Sequence, residues 1–156
     1  MWLRLMGGLL LLGCGRLWVG ERERADRRQI ARLTDCCDLL TYIAEQIAAL
    51  GLPLDEIAAT LPPTLSAACP ISDGDMAGAL LSAAGQLRDG EAATVLSRTA
   101  ARLGRGGRED QVSLCRTAAQ TLGECRDRLA KQADRDRRGR ATLCLTACLL
   151  VIILLW

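Results

Sequence analysis

The sequence predicts an all-α fold, and three observations carry that expectation. Half of the 156 residues are hydrophobic, yet they include one Tyr, three Trp and no Phe, so a core must be built from Leu, Ala, Ile and Val, a set that favours helix over sheet. Interior apolar residues recur at gaps of three and four, and no run shows the alternation of a strand. The most apolar stretches stand at the two ends, "MWLRLMGGLLLLGCGRLWVG" and "ATLCLTACLLVIILLW". A chain of this length has room for one folded domain beside such segments.

Residues 2–20 are long enough to cross a bilayer core as a transmembrane helix, with Arg4 and Arg16 close enough to its ends to snorkel. The following "RLWVGERER" offers no small-x-small cleavage site, which favours an uncleaved anchor over a secretory signal. Residues 141–156 form the second transmembrane helix, at the lower edge of a span, with Trp156 at the far interface. Arg22, Arg24, Arg27, Arg28 and Arg32 follow the first segment, and Lys131, Arg135, Arg137, Arg138 and Arg140 precede the second. Basic flanks stay in the cytoplasm, so residues 21–140 are expected there with both termini outside. Glu21, Glu23, Asp26, Asp134 and Asp136 are interleaved with these bases. That mixture points to a solvated stalk with i,i+4 pairs and some lipid headgroup contact at its base, not to a helix lying on the membrane.

Between the anchors, Glu21–Leu50 reads as a long amphipathic helix with Ile30, Leu33, Cys37, Leu40, Ala44 and Ile47 on one stripe. Gly51 and Pro53 end it. "PLDEIAATLP" is a short helix with Asp55 and Glu56 at its positive end, and Pro62, Pro63 and Pro70 confine Thr64–Ala68 to a turn of helix or an irregular link. A helix from about Ser72, with Asp73 and Asp75 early, shows Met76, Leu80, Ala83, Ala84 and Leu87 to the core. "RDGEAATVL" marks a break at Gly90 before a helix to Leu103. Arg108–Arg140 then repeats the stripe with Val112, Cys115, Ala119, Leu122, Arg126 and Leu129, Cys125 substituting where Arg126 weakens it. Two long helices of similar length, each joined to a membrane segment, suggest a cytoplasmic antiparallel helical bundle between N- and C-terminal transmembrane helices.

The chemistry-bearing residues are sparse. A net charge of +2 with no basic face gives nucleic-acid binding little support. The eight cysteines contain no C-x-x-C, and there is no His, so no metal site is expected and the thiols read as reduced, buried small hydrophobes. Cys14, Cys144 and Cys148 fall in the apolar ends; Cys36 and Cys37 are adjacent, while Cys69, Cys115 and Cys125 stand alone.

One string raises the question of a nucleotide or thiol enzyme: "LGRGGREDQ", Leu103–Gln111. A phosphate loop needs G-x-x-x-x-G-K-[ST] after a strand. Here Gly104, Gly106 and Gly107 are followed by Arg108 and Glu109, without Lys, Ser or Thr. Glu109 and Asp110 would also occupy the helix start that a phosphate needs. A helix reversal explains the glycines better: Gly104 as a left-handed C′ residue, Gly106 and Gly107 as the structural turn, Arg102 and Arg105 near the negative end of one helix, Glu109 and Asp110 at the positive end of the next. Arg108, Glu109, Asp110 and Gln111 are then candidates for partner binding or merely a solvated, dipole-matched helix start. The dipole alone does not explain that particular string.

The string resembles a motif of the stage III sporulation protein AB family of endospore-forming bacteria, which the chain resembles over its full length: a short N-terminal membrane segment, an Arg-rich helix, a central "LG" with a polar turn and "REDQ", and a terminal "LLVIILL". The chain departs from the family at Gly106 and Gly107, where members tend to carry Ser-Asp, and the aspartate expected to cap the last helix is thereby lost. Its low aromatic content is also atypical. The resemblance implies a non-enzymatic, cofactor-free subunit in the mother-cell membrane facing the forespore. Its helical domain would be similar to the inner-membrane platform proteins of type II secretion and type IV pilus systems. Other channel subunits, a cytoplasmic secretion-type ATPase and further copies of the chain are the implied partners. A platform protein of a type II secretion or pilus-like system is the alternative.

Overall fold

In a computed structural model, residues 2–155 are described apart from 70, 72 and 73; side chains of residues 2–19, 67, 68, 141, 144, 145, 148, 149 and 151–155 lie outside the described set. The chain is all-helical: α1 (Trp2–Leu50), α2 (Leu54–Ala59), α3 (Pro63–Ala68), α4 (Met76–Gln86), α5 (Gly90–Arg102) and α6 (Arg108–Leu155). No strand occurs among the described residues. Two compact units are distinguished, a terminal one of Met1–Arg28 with Leu129–Trp156 and a central one of Gln29–Arg128.

In the central unit α1 buries the expected Leu33, Cys37, Leu40, Ala44 and Ile47, with Ile30 half-buried. It also buries Cys36, Leu39 and Ile43, so the apolar face is broader than one heptad seam. The reason lies in its neighbours. Successive helical residues diverge by about 100°, and the adjacent cysteines use that divergence: the Cys37 thiol donates to the Ala119 carbonyl of α6 at 3.6 Å, while Cys36 faces Ala79 and Ala83 of α4. Contacts between α1 and α6 run in opposite senses, Cys37 with Ala119 and Ile47 with Arg108.

The buried row on α6 is Gln111, Cys115, Ala118, Leu122 and Cys125. Cys125 indeed takes the place of Arg126, whose guanidinium turns outward to Asp127 at 2.8 Å. Ala119 and Val112 are only half-buried; Ala118 and Gln111 were the residues to choose at those turns. On α4 and α5, small Ala79, Ala84, Ala92 and Ala100 let the two helices pack around Leu80 and Leu96. The first of these helices starts later than the sequence suggests. Asp75 is its N-cap, accepting from the Gly78 amide at 2.8 Å, and the helix begins at Met76; Ser72 and Asp73 lie outside the described residues. Asp89 caps α5 by accepting from the Glu91 amide at 3.0 Å. Two consecutive prolines, Pro62 and Pro63, pre-set the start of α3 as helix rather than irregular link.

In the terminal unit Glu23 accepts from Arg27 at 3.1 Å and forms an ion pair with Arg137 at 3.4 Å, and Arg138 pairs with Asp134 at 2.9 Å. The hydrogen bond from Arg27, then the charge of Arg137, hold the Glu23 carboxyl below the usual range. These exposed pairs contribute little to stability. Among the described residues no helix is long and apolar enough to cross a membrane. The two spans expected at 2–20 and 141–156, with Arg4, Arg16, Cys14, Cys144, Cys148 and Trp156, fall largely on side chains outside the described set.

Candidate functional site

Helix α5 ends because Leu103 leaves the helical region and Gly104 follows at φ +78°. With Leu103 at φ −63°, ψ 133° and the Arg105 amide donating to the Arg102 carbonyl at 3.1 Å, residues 102–105 match a type II turn. That turn needs glycine at its third position, and Gly104 supplies it. Gly106 is also left-handed, at φ +119°, as a structural turn requires. Gly107 is not; its carbonyl accepts from the Gln111 amide at 3.0 Å, so it is the N-cap residue of α6 with no side chain to do the capping.

Gln111 closes the reversal. It is 7% exposed, and every polar atom of its amide is used within the turn. Its Oε1 accepts from the Gly104 amide at 3.0 Å, and its Nε2 donates to the carbonyls of Arg105 at 2.6 Å and Arg102 at 3.3 Å. A side-chain amide can satisfy donors and acceptors at once, which neither a carboxylate nor a hydroxyl of this reach can do.

Arg108 acts on a different helix. Its Nε donates to the Ile47 carbonyl at 2.8 Å and its terminal nitrogen to that of Ala48 at 2.5 Å. These belong to the last turn of α1, where the Ile47 carbonyl also accepts from the Gly51 amide at 3.1 Å and positive charge meets the negative end of the dipole. Gly51, at φ +65°, ends α1 beside the guanidinium: a Cβ there would lie 3.4 Å from Arg108. The same device recurs where Arg32 of α1 donates to the Gln86 carbonyl at the end of α4, at 3.1 Å.

Thus Arg108 and Gln111 are brought together around the reversal as clamps of the chain itself. Glu109 and Asp110 stay exposed in the first turn of α6. Glu109 borders an open groove of about 630 Å³ with Ala48, Val112, Ser113, Arg116 and Thr117. No carboxylate–His or Ser–base pairing converges on this groove, and no cluster of three or more metal-ligating side chains occurs among the described residues. The five described cysteines are all free and buried. Burial pushes the Cys115 thiol up to about 11 and raises that of Cys37, as suits thiols packed as hydrophobes.

Sequence reasoning marked a break at these glycines but missed what Arg108 and Gln111 hold. It also missed two long-range contacts, the Tyr42 hydroxyl donating to the Thr60 carbonyl at 3.2 Å and the meeting of Cys36 with Cys69. The lone Tyr in a chain poor in aromatics was the available signal for the first; nothing local announces the second. No protein-family model, curated protein or solved structure matches the chain.

Proposed function

We propose that the chain is a membrane-anchored structural subunit of a mother-cell channel complex required for endospore formation. Residues 2–20 and 141–156 serve as its transmembrane helices, and residues 21–140 form a cytoplasmic antiparallel bundle that docks a secretion-type ATPase. The observation that carries this reading is the division of labour within "REDQ". Arg108 and Gln111 brace the reversal, and Glu109 and Asp110 stand exposed there, Glu109 bordering an open groove, at the start of the helix whose far end carries the second apolar run. A fixed acidic corner on an otherwise inert helical scaffold suits docking to a basic partner surface better than it suits catalysis.

Deletion of the gene in an endospore-forming host is expected to arrest development after engulfment begins; normal spore yield would sink the proposal. Reversing the corner with Glu109→Lys and Asp110→Lys should abolish pull-down of a secretion-type ATPase from the same host while leaving helicity intact.

A further inference from the structure

Cys36 of α1 and Cys69 at the end of α3 are both buried, at 2% and 4% exposed. They line one cavity of about 40 Å³ together with Ala79, Ser82 and Gln86 of α4. Arg32, held to the Gln86 carbonyl, forms the rim, and Arg32, Ser82 and Gln86 are themselves exposed. The cavity is thus a narrow way from solvent to two sulfurs.

The two thiols share this cavity as neighbours, each the foremost influence on the other. The neighbouring Cys69, with burial, raises the Cys36 thiol, while Cys36 beside it holds Cys69 below the usual thiol range. The other described cysteines of this unit are occupied differently. The Cys37 thiol is spent on the Ala119 carbonyl, Cys115 is walled in, and the Cys125 sulfur accepts from Arg128 at 3.1 Å.

We propose that Cys36 and Cys69 are a peroxide-sensitive dithiol, in which Cys69 is the sulfur oxidised and Cys36 resolves it to a disulfide that ties α1 to the link between α3 and α4. The Cys69 thiolate attacks one oxygen of hydrogen peroxide, breaking the O–O bond, giving a sulfenic acid and releasing hydroxide. The Cys36 sulfur then attacks the sulfenic sulfur; an S–S bond forms, and the oxygen leaves as a second water once the two thiol protons are counted. One peroxide is reduced to two waters as two thiols become one disulfide. The size of the cavity selects the oxidant: a volume of 40 Å³ takes about three water-sized molecules at roughly 10–15 Å³ each. Peroxide fits, and a glutathione-sized disulfide does not. The inference stands on the central unit alone and is independent of the docking role.

The test uses the full chain in detergent micelles, treated with hydrogen peroxide or with glutathione disulfide and mapped by non-reducing peptide mass spectrometry. The Cys36–Cys69 peptide pair is expected to form first under peroxide, and at least about ten-fold more slowly under equimolar glutathione disulfide. With Cys36→Ser, dimedone should trap a sulfenic acid on Cys69; with Cys69→Ser, Cys36 should stay unlabelled. Another cysteine pair bridging first, equal rates with both oxidants, or dimedone on Cys36 in preference to Cys69 would each overturn the proposal. The wild-type bridge and its oxidant selectivity are read without any substitution, so a variant that fails to fold does not remove the test.

Discussion

Replacing Gln111 with Glu changes one atom type at the centre of the reversal and reverses the sign of one interaction. In the wild type, Nε2 donates to the Arg102 and Arg105 carbonyls while Oε1 accepts from the Gly104 amide. Gln111→Ala removes all three bonds, each worth about 0.5–1.5 kcal/mol net. Water can reach the exposed backbone of residues 104 and 105, and the Arg102 carbonyl keeps its bond from the Arg105 amide, so the loss should fall at the lower end, about 2 kcal/mol. For a cooperative unit of about 100 residues that lowers Tm by roughly 8–16 °C. Gln111→Glu keeps the bond from Gly104 but sets a carboxylate oxygen against two carbonyl oxygens in a buried place, which favours the protonated acid in the fold. Its folded pKa is therefore raised above its unfolded value. The variant's stability is fully present below about pH 4, the unfolded carboxyl range, and is lost as pH rises through the raised folded value. Thermal unfolding followed by circular dichroism from pH 3.5 to 7.5, with exchange of the Gly104 amide, reads both effects. A penalty for Gln111→Glu that does not change with pH, or unchanged Gly104 protection in Gln111→Ala, would refute the clamp.

Two further perturbations probe the same corner. Arg108→Ala should cost about 1–2 kcal/mol and speed amide exchange in the last turn of α1, because two charge-assisted bonds to carbonyls are lost at a half-exposed site; Arg108→Lys should recover only part of it, since an ammonium lacks the planar fork, and equal stability of all three proteins by urea denaturation would contradict the cap. Gly104→Ala should destabilise by about 1–2 kcal/mol because an L side chain resists φ +78°, whereas Gly107→Ser should be neutral or stabilise by a few tenths, as a capping hydroxyl is restored beside Asp110; a Gly107→Ser variant less stable than Gly104→Ala would show the glycine roles to be misassigned.

The helical class and most of the core were legible because they depend on local periodicity. Leu33, Leu40, Ile47, Cys115 and Leu122 could be read from gaps of three and four alone. The second row on α1, Cys36, Leu39 and Ile43, could not, since it reflects how many neighbours a helix has. The start of α4 slipped for a related reason: early acids do not fix the first helical residue, and backbone geometry makes Asp75 the cap that accepts from Gly78. At the candidate site Gly104 and Gly106, both left-handed, were legible through conformational need. Arg108 and Gln111 were not, because their partners lie on the end of another helix and across a turn. Of the "REDQ" string, the two acids remain the part that internal packing leaves unexplained.

The pairing of the first helix with the last also sets an order of assembly. Arg108 meets the end of α1 from a position 61 residues further along the chain, and at a synthesis rate of about 5–20 residues per second the nascent α1 waits roughly 3–12 s for its cap to be made. During that interval the α4 and α5 hairpin, closed by contacts near in sequence, can form alone. The Cys37 side of α1 has to stay uncovered, a sticky seam exposed to the ribosome exit and to chaperones until α6 emerges to zip it shut.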